Sequence, residues 1–197
     1  MVLDFSHVIA GPFATYYLAA LGARVIKVEN PHRGDSLRSK PQAFASLNHG
    51  KEIVQIDLDT QSGRDQAWAL FEEADIFVDN MRPGVLERFG FGEAALRQKR
   101  PSLIHCSVSG YGRSGDWHTR PTFDHVVQAA SGMTLLAGQA EDGPIKVGFP
   151  VVDSASGMLA PGARAGTLYK YRIDGQIEVA DPASHFQPQD VFGPSEV

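Results

Sequence analysis

Asp153 sits in the stretch VGFPVVDSASGM, residues 147–158, and is followed by the small residues Ser154, Ala155, Ser156 and Gly157. A carboxylate in such surroundings has two uses. At a helix start it caps free backbone N–H groups. It can instead serve as a covalent nucleophile, and small neighbours leave room for a bulky ligand. Spacing alone leaves both readings open. A second candidate is the turn His7-Val8-Ile9-Ala10-Gly11-Pro12. Its glycine permits close backbone approach, and the helix that follows offers unpaired N–H groups to an anion. An ordinary tight turn explains the same residues.

Other chemistries find no support. The seven histidines form no paired-ligand spacing with the cysteine or a carboxylate, so no metal site is expected. His125 follows Asp124 directly and so falls on a different helical face. Residues 107–112, SVSGYG, lack the Gly-x-Ser-x-Gly elbow of a hydrolase. No dinucleotide-type or P-loop glycine signature is present. Cys106, the single cysteine, lies in the apolar run 102–108 and reads as a buried structural thiol. It excludes an internal disulfide and fits a reducing cytoplasm.

These residues need a scaffold, and the pattern for one is regular. Residues 2–5 and 23–28 read as strands around a helix over 13–21, with Pro12 in its first turn and Gly22 past its end. Strand, helix, strand in about 30 residues is a βαβ unit with parallel strands. Strands over 52–58, 75–78 and 102–108 follow, with helices over 63–74, 85–89 and 93–99 between them. A glycine-bearing loop, 109–122, leads into a helix from Asp124 to about Leu136. The expected fold is α/β: a Rossmann-like parallel sheet with flanking helices.

The 197 residues suit one large domain or a domain plus a small module. A composition of 43% hydrophobic and 21% charged residues supports a core. The net charge of −5 argues against a general nucleic-acid partner. No apolar run is long enough to span a bilayer, and the start MVLDFSH is unlike a signal peptide, which points to the cytoplasm. Near Met158 the character changes. Ala160-Pro161-Gly162 breaks any helix running on from Asp153. Asp174-Gly175 between the β-rich runs 167–173 and 176–179 predicts a hairpin, and 181–197 reads as an irregular tail.

Many ordered motifs in residues 1–158 resemble class III CoA-transferases such as formyl-CoA transferase. They include Val2-Leu3-Asp4-Phe5-Ser6-His7-Val8 with Ala10-Gly11-Pro12, Val25-Ile26-Lys27-Val28-Glu29, Gly34-Asp35 and Asn48 with Lys51. They continue through Ile56-Asp57-Leu58, Arg82-Pro83-Gly84, Leu86 with Arg88, Gly110-Tyr111-Gly112 and Phe123-Asp124, to Asp153 and Gly157. The resemblance implies that Asp153 is the nucleophile of an aspartyl mechanism and that Asp124 is an acidic neighbour. It implies coenzyme A or acyl-CoA as substrate, with a small carboxylic acid as the other partner and a homodimer as the assembly. The CoA-binding positions it implies are Ile9, Ala10, Asn30, Ile56, Asp57, Leu58, Asp59, Asn80, Met81, Arg82, Arg88, Arg120, Pro121, Thr122 and Phe123.

Departures bear on specificity. Ile9, Asn30 and Pro121 stand where formyl-CoA transferase has glutamine, arginine and lysine. The related α-methylacyl-CoA racemases place a catalytic histidine where this chain has Phe123, with His125 two places along on another helical face. The resemblance therefore favours transfer over racemisation. Family members are about twice as long, which implies weak CoA binding and low or absent turnover for this chain. Residues 160–197 are similar instead to the N-terminal module of malto-oligosyltrehalose trehalohydrolase, through Tyr169-Lys170-Tyr171-Arg172, Asp174-Gly175 and Asp181-Pro182-Ala183-Ser184. A carbohydrate-associated fusion fragment without catalysis is the corresponding alternative.

Overall fold

The computed structural model describes residues 1–162 and the backbone of the short strands 168–169, 171–173, 177–179 and 195–196. The chain divides into two compact units, Met1–Val108 with Asp153–Pro161, and Ser109–Val152 with Gly162–Val197.

The first unit is built on strands β1 (Val2–Asp4), β2 (Val25–Glu29), β3 (Glu52–Gln55), β4 (Ile76–Asp79) and β5 (Ile104–Ser107). They form one parallel sheet in the order β3-β2-β1-β4-β5. Its helices are α1 (Ala10–Ala20), α2 (Pro41–Asn48), α3 (Gln61–Glu73), α4 (Val85–Phe89), α5 (Glu93–Lys99) and α7 (Val151–Leu159), the last of which begins in the second unit. The expected parallel α/β sheet is thus present.

Alternation along the strands sorts the core onto two faces. Leu3, Phe5, Ile26, Val28 and Phe77 pack with Ala67, Phe71, Phe91 and Leu96. Within that cluster Phe5, Phe71, Phe77 and Phe91 meet with ring centroids 4.9–6.1 Å apart. On the opposite face Val2, Val25 and Val78 pack with Leu18 and Ala19 of α1. That second face changes character toward the carboxyl ends of the strands. There the apolar series gives way to Asp4, Lys27 and Glu29, all essentially inaccessible to solvent.

Several elements differ from the sequence expectation. α1 begins at Ala10, three residues early, because a proline is tolerated anywhere in a helix's first turn. α2 was not foreseen: its residues are mostly exposed, with Phe44 and Leu47 only half-buried. Pro41 at its first position is the one local signal. β3 ends at Gln55, although Ile56 and Leu58 beyond it are buried. Gly63 of α3 has no room for a side chain, since a Cβ there would lie 1.9 Å from the Asp57 carbonyl oxygen.

The second unit holds α6 (Asp124–Ala130) and two short 3-10 turns, Met133–Leu135 and Ala140–Asp142. The helix expected to reach Leu136 stops at Ala130 because Gly132 turns left-handed, with φ +78°. β7 (Tyr171–Ile173) pairs antiparallel with β8 (Ile177–Val179), in keeping with a hairpin, while the Asp174-Gly175 turn lies outside the described residues. β6 (Leu168–Tyr169) pairs with β9 (Ser195–Glu196), which corrects the irregular reading at those two tail residues. The rest of 181–197 lies outside the described residues. Among the described residues no helix is long and apolar enough to cross a membrane.

Candidate active site

The sheet order reverses direction between β1 and β4: β2 and β3 lie to one side, β4 and β5 to the other. Loops at the carboxyl ends of strands at such a switch point diverge and leave a crevice, the usual ligand site of an open α/β sheet. Here the crevice is a cavity of about 220 Å³. It is lined by Phe5 and His7 after β1, Val28, Asn30, Arg33 and Gly34 around the end of β2, Ile56, Leu58 and Asp59 after β3, and Met81, Arg88 and Phe89 after β4.

The loops forming its rim are tied together. The His7 N–H donates to Asn80 Oδ1 at 2.8 Å, and Asn80 Nδ2 donates to the His7 carbonyl at 2.7 Å. This reciprocal pair bridges the two strands of the switch point. Asn30 Oδ1 accepts from the N–H groups of His32 and Arg33, at 2.9 and 3.2 Å, and so shapes the turn that carries Arg33 to the cavity. Between His7 and Ile9, Val8 has φ +68°. For a β-branched residue this is a strained conformation, costing on the order of 1–3 kcal/mol.

Beneath the rim lies a buried ionic frame. Lys51 Nζ pairs with Asp4 Oδ2 at 3.1 Å and donates to the Pro12 carbonyl and Asn48 Oδ1. Asp4 also accepts from the hydroxyls of Ser6 and Thr15. Lys27 Nζ pairs with Asp35 Oδ2 at 3.1 Å and donates to the Ser6 carbonyl at 2.6 Å. Glu29 accepts from Arg38 at 2.6 and 3.0 Å. Burial opposes ionisation of Asp4, but Lys51, Lys27 and the two hydroxyls hold its carboxyl below the usual range. Burial likewise opposes Asp35, and Lys27 with the N–H groups of Leu37 and Val8 overcomes it. Burial pushes the Lys51 ammonium down to about 8 despite the pull of Asp4. Burial, then Lys27, push His7 down against Asp35, Asp4 and Glu29, so the imidazole at the cavity is neutral at pH 7.

Six of the positions implied by the resemblance meet at this cavity: Asn30, Ile56, Leu58, Asp59, Met81 and Arg88. Others in the same unit do not line it. Ile9 and Ala10 form the start of α1. Asp57 turns toward His32, 3.5 Å away, and Asn80 is taken up by His7. The exposed Arg82 lies in the turn before α4, where its carbonyl accepts from Val85. Sequence reasoning missed Phe5, Val28, Arg33, Gly34 and Phe89 as lining residues, whereas His7 belongs to the candidate turn 7–12. Arg33 and Gly34 had a signal, since they share one βα turn with Asn30.

Asp153 is half-buried in the first turn of α7. It is the third residue of the helix, within it rather than at its N-cap. One turn on, Gly157 packs against α1: a Cβ there would lie 2.7 Å from the Ala10 carbonyl oxygen and 2.8 Å from the Phe13 Cβ.

Arg120, Pro121, Thr122, Phe123 and Asp124 belong to the second unit. Arg120 stacks over Trp117 at 4.4 Å, and Thr122 closes against Gly110. Asp124 accepts from Gln128 Nε2 and, at 2.8 Å, from the Val152 N–H at the start of α7. The buried Gln128 in turn accepts from the Val147 N–H at 2.8 Å. Phe123, the N-cap of α6, lies outside the helix proper, which lets its ring stack on His125 at 5.9 Å. The two rings are neighbours, contrary to the separate faces expected.

Comparison with known proteins gives a consistent result. The model of CoA-transferase family III matches residues 1–185. A succinyl-CoA:mesaconate CoA-transferase of Haloarcula hispanica is 39% identical over 201 residues, covering 93% of this chain and 50% of that protein. A mouse succinyl-CoA:glutarate CoA-transferase is 36% identical over 180 residues, covering 87% of this chain and 41% of that protein. The crystal structure of a Mycobacterium tuberculosis protein, named a probable fatty acyl-CoA transferase, superposes with a TM-score of 0.77 at 40% identity. It covers 82% of this chain and 46% of that one. The chain spans about half the length of the curated relatives it matches. With the parallel sheet and its switch-point cavity, these matches show that the chain belongs to CoA-transferase family III.

Proposed function

We propose that this chain carries the CoA-binding cavity and the nucleophilic carboxylate of an enzyme that moves CoA from an acyl-CoA to a small carboxylic acid. The observation that carries the reading is the cavity itself, where residues from four separate βα turns converge. Arg33 and Arg88 offer cationic donors suited to nucleotide phosphates, beside an apolar floor of Phe5, Val28, Ile56 and Leu58.

Asp153 attacks the thioester carbonyl, the C–S bond breaks, and CoA leaves as the thiolate, giving a mixed anhydride. The thiolate then attacks the aspartyl carbonyl and expels the donor carboxylate, leaving an aspartyl-CoA thioester. An acceptor carboxylate attacks that carbonyl and frees the thiolate again. Attack of the thiolate on the new anhydride, at the acceptor's carbonyl, yields the product acyl-CoA and restores Asp153. Dicarboxylates are the preferred acceptors, because relatives named for mesaconate and glutarate transfer are similar over most of this chain. Transfer is preferred to racemisation because Phe123, which has no proton to exchange, occupies the position of the racemase histidine. We place the assembled enzyme in the cytoplasm as a homodimer.

Incubation with succinyl-CoA followed by intact-mass analysis tests the nucleophile without requiring a complete cycle. The expected result is a hydroxylamine-sensitive adduct on the peptide containing Asp153, absent from Asp153→Ala. No adduct, or equal labelling of Asp153→Ala, would overturn the assignment.

A further inference from the structure

The charges of Lys27 and Asp35 are withdrawn from solvent completely, with both side chains at 0% exposure. Burying an ion pair is expensive and is often no better for stability than an apolar substitute. What this pair does instead is grip the backbone of one turn. The Val8 N–H donates to both Asp35 oxygens, at 3.1 and 3.3 Å. Lys27 holds Asp35 and, with the same ammonium, the Ser6 carbonyl at 2.6 Å. Val8 between these anchors is the one non-glycine residue with positive φ among the described residues. Valine avoids that region of backbone space, so the conformation persists only because its surroundings enforce it. The enforced turn joins β1 to α1 at the switch point, and His7 within it lines the cavity.

We propose that Lys27 and Asp35 are positioning residues, a buried clamp that holds the turn from Ser6 to Ala10 in a strained geometry ready for CoA. The ligand part of this inference rests on the CoA reading of the cavity; the clamp itself does not. Neither residue lines the cavity. They act through Val8 and Ser6, by keeping the turn in one conformation before the ligand arrives.

The test combines Asp35→Ala, Val8→Gly and the double variant, each measured by thermal melting and by calorimetric titration with CoA. Glycine carries no strain at φ +68°, so Val8→Gly relieves a cost that exists only while the clamp is present. The melting-temperature change on Val8→Gly is therefore expected to be more favourable, by about 2–4 °C, with Asp35 in place than in the Asp35→Ala background. Asp35→Ala is expected to weaken CoA binding about tenfold, as when the competent turn is populated for a tenth of the time. Adding Val8→Gly should recover part of that loss, which a residue serving overall stability alone would not permit. Equal melting shifts in both backgrounds, or a folded Asp35→Ala with unchanged CoA affinity, overturns the proposal. If the unaltered chain binds no CoA, the CoA reading fails and the melting comparison still decides the clamp. Should Asp35→Ala fail to fold, Asp35→Asn, which keeps the acceptor oxygen and drops the charge, is read against the same two criteria.

Discussion

Gly157→Ala adds one methyl group at the contact between the Asp153 helix and α1. Its Cβ would lie 2.7 Å from the Ala10 carbonyl oxygen, 2.8 Å from the Phe13 Cβ and 3.1 Å from the Phe13 Cδ1. Ordinary contact begins near about 3.5 Å, so α7 has to retreat by roughly 1 Å. Overpacking of this kind costs about 1–3 kcal/mol. Alanine returns about 1 kcal/mol through its better helix propensity. The net loss is about 0–2 kcal/mol, or a melting temperature lower by up to roughly 8 °C for a chain of this size. Asp153 precedes Gly157 by four residues and lies on the same helical face, so it moves with the helix. A displacement of about 1 Å at a reacting group lowers rates about 100-fold. The assay pairs thermal melting with the rate of adduct formation from succinyl-CoA. Gly148→Ala is the control, since a Cβ there meets nothing within 4 Å. A Gly157→Ala chain that melts at or above the original temperature and labels at the original rate would refute the close-packing argument.

Three further outcomes follow from the buried frame. Lys27→Met leaves Asp35 buried without its cation and is expected to lower stability by about 3–5 kcal/mol in urea titration; a loss below about 1 kcal/mol contradicts the frame's role. Lys51 has a folded-state value of about 8, against 10.5 for a free lysine. Between those limits the unfolded chain holds more protons, so stability rises with pH; the excess over Lys51→Met should grow by about 3 kcal/mol across the window, and a flat difference would be contrary. Asp4 and Asp35, both held below 3.8, stabilise above that pH, and their contribution is lost as pH falls through their folded values, which acid titration of the melting temperature reports. Burial, with Asp79 adding to it, pushes the Cys106 thiol up to about 11. It should therefore react slowly with a disulfide reagent at pH 8, whereas rapid labelling of the folded chain would show an accessible thiolate.

The parallel sheet was legible because β-branched strands and helical periods alternate plainly from Val2 to Ser107. α2 was not, because the run 41–48 is short and mostly exposed, with Ala43, Phe44 and Leu47 its only apolar residues at helical spacing. The end of α6 turned on Gly132, whose left-handed backbone outweighed the apolar residues beyond it. Apart from His7 in the first βα turn, the cavity was legible only through resemblance. Asn30, Asp59, Met81 and Arg88 come from the connections after three different strands, spread over nearly 60 residues, and no local spacing relates them. The clamp's residues stood in the sequence only as members of two family motifs, and nothing there related Lys27 to Asp35 or to Val8. Lys27 and Glu29 lie in a strand whose valines and isoleucine predict burial, and the strain at Val8 exists only once Asp35 is folded against it.

The most direct test of the account is calorimetric titration of the chain with CoA, alongside Arg88→Ala. Arg88 is exposed, lies over the Phe89 ring at 4.7 Å and lines the cavity, so its removal should leave the melting temperature nearly unchanged. The account predicts saturable binding to the original chain and an affinity at least about tenfold weaker for Arg88→Ala, the loss of about 1.4 kcal/mol expected for one phosphate contact. No saturable binding, or equal affinity for the two chains, would contradict the placement of CoA in the switch-point cavity.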